Sequence, residues 1–346
     1  MLYCQYAKAP KGGEKKGVVV MKKFLSLLVA LVMLCSAVGV LAEESKPVIG
    51  ISWSYAEQNE SYLNTYCRVI EAAGGIPVQI AQIVSSDVAY DEGGTILPEY
   101  IEESGMLKQE YADKIKALDY DTTNLAEAME GVDGVFFVGG EDVSPTLFAA
   151  PMPELNNGEE INATRDISDY LLMGYCLDND IPLFGACRGE QVLGIVSGCQ
   201  FLQDIPNYYA SMGAAYDDCH RMPPGTPNRT YARHDVELVG TDSIFYSIVG
   251  ADTLENVSSW HHQAVIGVDG TDLTVVSKTV AEGLTIIEGI ERPDKTFCLG
   301  LQFHPENDVV MMLNGEEEIC NFEICLGVFE ALVAAAAGTA ELDKAA

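Results

Sequence analysis

The chain has 346 residues, 48% of them hydrophobic, and sets 20 lysines and arginines against 52 aspartates and glutamates, a formal net charge of −32 at neutral pH. A field of that sign repels nucleic acid and anionic membrane surfaces, so neither is an expected partner. The cysteines include no C-x-x-C pair, which removes zinc-ribbon and thioredoxin-type readings.

Residues 1–20 and 21–42 differ in kind. Met21-Lys22-Lys23, an apolar core from Phe24 to Leu34 and the small-residue pattern Val40-Leu41-Ala42 read as a signal peptide cut after Ala42. Residues 1–20 then read as an over-called start, and 43–346 as the functional domain. The expectation is an exported protein with no stable membrane association once cleaved.

Apolar runs at 48–52, 76–80, 134–138, 181–184, 235–238, 273–277 and 297–303 read as strands. Tyr62–Ala73 predicts the first crossover helix, stopped by Gly74-Gly75, and Arg165–Leu177 a helix before the 181–184 strand. Strands alternating with amphipathic segments predict a single α/β domain with a mostly parallel central sheet. Residues 91–130 make a long connection in which Tyr100–Leu118 is charged and roughly helical, either a lid or a surface insertion. Glu317–Ala337, rich in Ala, Leu and Val, predicts a C-terminal helix covering the sheet, with Cys320 and Cys325 on different faces of it.

The chemistry concentrates at Leu183-Phe184-Gly185-Ala186-Cys187-Arg188-Gly189-Glu190-Gln191. An apolar run, a G-x-C-x-G core and a periodic segment through Val192, Leu193 and Val196 read as strand, sharp turn and helix, with the cysteine at the corner of a nucleophile elbow. The glycines permit the turn, and a thiol at a helix N-terminus has its thiolate stabilised. A second strand ends in Gln302-Phe303-His304-Pro305-Glu306, which supplies a base and a carboxylate to orient it. After a third, Val138-Gly139-Gly140-Glu141-Asp142 can turn backbone N–H groups outward, as an oxyanion hole needs. Ser258-Ser259-Trp260-His261-His262-Gln263 holds two of the five histidines, and the spacing of His220, His234 and His304 suggests no metal set, so no metal or organic cofactor is expected. The two histidines are open to a plainer reading, as caps of a helix starting at Gln263.

G-x-C-R-G-x-Q followed by Q-F-H-P-E resembles the class I glutamine amidotransferase-like family, and more narrowly its γ-glutamyl hydrolase branch, whose best-known bacterial member cleaves γ-glutamyl-γ-aminobutyrate. The resemblance runs from about Pro47 to Val333. It implies a flavodoxin-like three-layer sandwich with Cys187 as nucleophile, His304 as acid and base, and Glu306 as its orienter. It further implies an oxyanion hole from the N–H groups of Gly140 and Arg188, and a γ-glutamyl pocket involving Gln191, Ser259, Trp260 and His261. Two positions depart from the family pattern: Ser258 stands where the family has Asn, and Asn307 where it usually has Trp.

The expected function is that of a secreted cysteine hydrolase acting on γ-glutamyl amides through a thioester. An arginine of the irregular 202–233 stretch (Arg221, Arg229 or Arg233) is a candidate partner for the substrate carboxylate. The expected partner is a small γ-glutamyl molecule, and a homodimer is compatible with the sequence. Two alternatives stay open: a glutaminase subunit that delivers ammonia to a synthase, and a γ-glutamyl-peptide binding protein with a silent triad.

Overall fold

In the computed structural model, which describes residues 45–54, 60–148 and 161–338, the apolar runs become strands and the amphipathic segments wrap them. The expected signal peptide and over-called start lie outside the described residues. The first half of the chain contributes β1 (Val48–Ile51), α1 (Glu60–Ala72), β2 (Ile76–Gln79), α2 (Gln109–Ile115), α3 (Leu125–Ala128), β3 (Gly134–Phe137) and α4 (Ala163–Asp178). Next come β4 (Leu183–Ala186), α5 (Arg188–Ser197), β5 (Gln200–Leu202), α6 (Ile205–Ser211), β6 (Ala232–Leu238), α7 (Ile244–Val249) and β7 (Thr253–Ser259). The chain closes with β8 (Ala264–Gly267), β9 (Thr274–Ala281), β10 (Leu284–Glu291), β11 (Cys298–Leu301), α8 (Pro305–Leu313) and α9 (Phe322–Ala336).

Among the described residues, nine strands form one sheet in the order β2-β1-β3-β4-β11-β10-β9-β6-β7, and β5 pairs with β8 apart from it. The segment from β2 to β11 is parallel and the remainder antiparallel. Its parallel part, 2-1-3-4-11, has the flavodoxin-like order, in which ligands bind at the carboxyl ends of the strands. The loops after β3, β4 and β11 all leave from that edge.

Burial on both faces explains why the central strands are apolar without alternation. Val135 and Phe137 of β3 face one core with Leu183, Leu193 and α4, while Phe136 faces the other. There its ring stacks on Phe184 at 5.4 Å, and Phe329 of α9 meets both edge-on at 5.1 and 5.2 Å. Helix α9 covers the sheet as expected but starts at Phe322 rather than Glu317. Cys320 therefore precedes the helix, and its sulfur lies 3.5 Å from that of Cys325, which corrects the expectation that the two point apart.

Helix α2 is shorter than the expected 100–118 because the bridges Tyr90–Ile96 and Ile101–Leu107 fold the chain back before it. Ile96, Leu107, Ala112, Ile115 and Leu125 are buried in the first core, so the 91–130 connection closes one face of the sheet. Glu282-Gly283, both at positive φ, turn the β9–β10 hairpin.

Candidate active site

Cys187 sits where β4 passes into α5, at φ 52° and ψ −106°. A non-glycine residue there carries strain of about 1–3 kcal/mol, held in place by its surroundings. Its N–H donates to Leu301 O at 2.8 Å, tying the corner to β11. The flanking glycines are required by close approach: a Cβ on Gly185 would stand 2.5 Å from the Gly189 carbonyl carbon, and one on Gly189 2.5 Å from Phe137 O. Cys187 is 5% exposed, and its sulfur points toward Trp260 O at 3.8 Å. The first-turn N–H groups of α5, beginning with Arg188, have no intrahelical acceptor and converge on this corner.

His304 caps α8 at the end of the β11 loop, its N–H donating to Ser258 O at 2.8 Å. Its Nδ1 is 2.6 Å from Glu306 Oε1, which leaves Nε2 without a hydrogen-bonding partner. The ring of Tyr231 meets the imidazole edge-on at 5.1 Å. Burial favours the neutral ring, but Tyr231, Glu306 and the Cys187 sulfur outweigh it and raise the His304 pKa well above 6.5. Gly139 packs between the two groups: a Cβ there would lie 2.9 Å from His304 Cε1 and 3.5 Å from Cys187 Cβ. The structure thus brings together Cys187, His304, Glu306 and the Gly139-Gly140 loop.

Two buried arginines hold the loop and the elbow. Arg165 donates from Nη2 to Val138 O (2.9 Å) and Gly139 O (2.8 Å), from Nη1 to Glu141 (2.6 Å) and from Nε to Asp169 (3.1 Å). Carbonyl and N–H point in opposite directions across a trans peptide, so fixing Gly139 O directs the Gly140 N–H away from Arg165. Gly140 itself is at φ 149°, and a Cβ on it would collide with Arg165 Nη1. Arg188 donates to Asp169 (3.0 Å), Asp166 (2.8 Å) and Glu141 O (2.7 Å). The two guanidiniums therefore share Asp169. Although burial opposes its charge, these arginines bring the Glu141 pKa down to about 2.

The expected pocket residues divide. Trp260 stands at the sulfur through its carbonyl, and its ring lies 4.5 Å from the Arg229 guanidinium and 5.8 Å from Tyr231. Gln191 is buried and its amide donates to Gln263 O (3.3 Å) and Gln302 Oε1 (3.1 Å). Ser259 and His261 are both buried. Ser259 Oγ donates to His220 O at 2.8 Å, and His261 turns its Nε2 toward Glu288. The expected helix at Gln263 is also absent, since β8 begins at Ala264. His262 instead bridges Asp142 (3.1 Å) and Asp204 (3.2 Å), which overcome its burial and raise its pKa to about 9.

Of the three loop arginines, Arg233 is committed to Asp308 (2.5 Å) and Asn256 O (2.8 Å). Arg221 lines a cavity of about 230 Å³ beside His262, together with Tyr216, Pro223 and Pro224. The two departures from the family pattern touch one another: Asn307 Nδ2 donates to Ser258 Oγ at 2.9 Å. Sequence reasoning missed this pair, the Arg165 clamp and Tyr231, since nothing local in the chain links their positions.

Residues 114–306 match the model of the Peptidase C26 family. The chain is 33% identical over 183 residues to Protein NtpR of Enterococcus hirae, covering 51% of this chain and 68% of that protein. It is 26% identical over 187 residues to gamma-glutamyl-gamma-aminobutyrate hydrolase PuuD of Escherichia coli, covering 53% and 67% respectively. Among solved structures, the glutaminase domain of Trypanosoma brucei CTPS with bound acivicin aligns over 86% of this chain and 95% of that one, at 17% identity and a TM-score of 0.48. With an elbow cysteine and a histidine–carboxylate pair at the carboxyl edge of a parallel sheet, and a family match over more than half its length, the chain belongs to the Peptidase C26 family, glutamine amidotransferase-like in its class.

Proposed function

We propose that the protein is a secreted hydrolase of γ-glutamyl amide bonds working through a Cys187 thioester. The observation that carries this reading is the strained Cys187 at φ 52° with the His304–Glu306 pair, 2.6 Å between Nδ1 and Oε1, facing it. His304 takes the thiol proton as the sulfur attacks the γ-carbonyl, then gives it to the departing amine as the C–N bond breaks. Water, deprotonated by the same imidazole, hydrolyses the thioester and returns the thiol. Glu306 holds the ring and balances its charge. The N–H groups of Gly140 and Arg188 receive the oxyanion in both tetrahedral intermediates, an interaction of about 3 kcal/mol for one such donor elsewhere. Arg221, at the cavity beside His262, is the arginine best placed for a substrate carboxylate.

The test is a panel of γ-glutamyl amides offered to the 43–346 chain, with mass spectrometry of Cys187 after an electrophilic glutamine analogue. Turnover of γ-glutamyl amides and stoichiometric labelling of Cys187 support the reading. An unlabelled Cys187 beside reacted surface thiols refutes it. N-terminal sequencing of the exported form, expected to begin at Glu43, tests secretion separately.

A further inference from the structure

Away from the catalytic sulfur, His220, His234 and His261 surround Glu288, and their ligand atoms all lie within 4.8 Å of one another. The four come from the loop before β6, from β6, from the stretch between β7 and β8, and from β10. Their side chains are between 0% and 6% exposed. His220 Nδ1 is 3.1 Å from Glu288 Oε1, while His234 Nε2 and His261 Nε2 are each 3.8 Å from Oε2. None of these nitrogens makes a hydrogen bond, and Glu288 Oε2 has no donor either.

The far side of two rings explains why this arrangement calls for a cation. His261 Nδ1 is 2.9 Å from Gln263 O, and His234 Nδ1 is 3.1 Å from Asp235 O. A carbonyl accepts only, so each Nδ1 carries the hydrogen, and in the neutral ring each Nε2 then presents a lone pair. Both lone pairs face a carboxylate oxygen. Charging the rings would remove that repulsion but would crowd buried imidazoliums whose centroids are 4.7 and 4.9 Å apart around one carboxylate.

We propose that His220, His234, His261 and Glu288 bind a buried divalent transition-metal ion, zinc by its donor set, which fastens the loop carrying His220 to the sheet beside Trp260. Three neutral imidazoles and one carboxylate are ordinary zinc ligands, and tetrahedral coordination puts donors about 3.4 Å apart, within the 3.1–3.8 Å range of the contacts to Glu288. The Nδ1–H donation to backbone carbonyls is the arrangement that orients metal-binding histidines. The ion would be structural, since four protein ligands leave no open position for water or substrate. His220 also accepts at its carbonyl from His261 N–H (3.1 Å) and Ser259 Oγ (2.8 Å), so the same residue ties the loop to the strand end twice.

The experiment uses the untagged 43–346 chain, expressed in zinc-supplemented medium and purified without chelator. Elemental analysis is expected to find about one zinc per chain. Chelation is expected to lower the melting temperature, and zinc, but not magnesium or calcium, to restore it. Cobalt substitution should give the visible d–d absorption of a four-coordinate site. Glu288→Gln and His234→Asn should each lose bound metal while Cys187→Ala keeps it, which separates this site from the proposed catalysis. Should either variant fail to fold, the metal content of the wild-type chain decides alone. A wild-type chain with no stoichiometric metal, and no thermal response to zinc or cobalt, overturns the proposal and leaves a cluster balanced by protons.

Discussion

Gly139→Ala isolates the geometry of the Cys187–His304 pair from the stability of the fold. Gly139 is not among the glycines with positive φ, so alanine fits its backbone. The added carbon would lie 2.9 Å from His304 Cε1. Unstrained carbon contacts lie at about 3.5–4.0 Å, so the imidazole must retreat by about 0.6–1.1 Å. Behind it stand the Tyr231 ring at 5.1 Å and the Glu306 carboxylate at 2.6 Å, which resist that motion. A displacement near 1 Å at a reacting group costs up to about 100-fold, so kcat should fall roughly 10- to 100-fold, or about 1.4–2.7 kcal/mol in the barrier. The assay pairs steady-state turnover of a γ-glutamyl amide with the rate of Cys187 alkylation, and a thermal melt controls for folding. Gly140→Ala is the contrast: its φ of 149° and the collision with Arg165 should damage folding itself. Wild-type turnover and alkylation in a folded Gly139→Ala chain would refute the packing of His304 against this loop.

The remaining predictions concern charge and the division of labour. Glu306→Gln should slow turnover less than His304→Ala, and Cys187→Ala/His304→Ala should be no slower than Cys187→Ala alone, measured as initial rates, because one catalytic unit is not additive. Glu141, with a folded pKa of about 2 against 4.5, adds stability that is present above about pH 4.5 and lost as pH falls toward 2. Glu141→Gln should therefore be less stable near pH 7 by on the order of 2 kcal/mol, with the gap closing in acid, read from denaturant midpoints across pH. Arg165→Lys keeps the charge but loses the planar group whose Nη2 grips Val138 O and Gly139 O while Nη1 and Nε hold Glu141 and Asp169, so kcat should fall while KM changes little.

The parallel strands were legible because burial on both faces forces continuous apolar runs, as in Gly134–Phe137 and Leu183–Ala186. The edge was less so. β7 and the β5–β8 pair are short or mixed in burial, and the strand start at Ala264 resembled a helix start in sequence. The convergence of Cys187, His304 and Glu306 could be read because glycine spacing and the H-P-E phrase are local consequences of a tight turn and a capped helix. The Arg165 clamp could not, since its grip on the 138–141 loop exists only once β3 and α4 pack. Metal-ligand spacing is likewise a rule for ligands on one local element, and His220, His234, His261 and Glu288 stand on four. Ser258 and Asn307 looked like two separate losses, yet in three dimensions they form one hydrogen bond.

The shared Asp169 has a consequence for how the enzyme fails on heating. Arg165 grips the loop after β3, Arg188 opens the elbow helix, and both lean on one carboxylate that is 2% exposed. Removing Arg188 would leave the buried Asp166 carboxylate without its cationic partner, a cost of about 3–5 kcal/mol. The 138–141 loop and the elbow helix therefore have no inexpensive way to separate while the core around them stands. Local opening of the catalytic edge should be as rare as opening of the sheet itself, so activity and fold should disappear over the same few degrees.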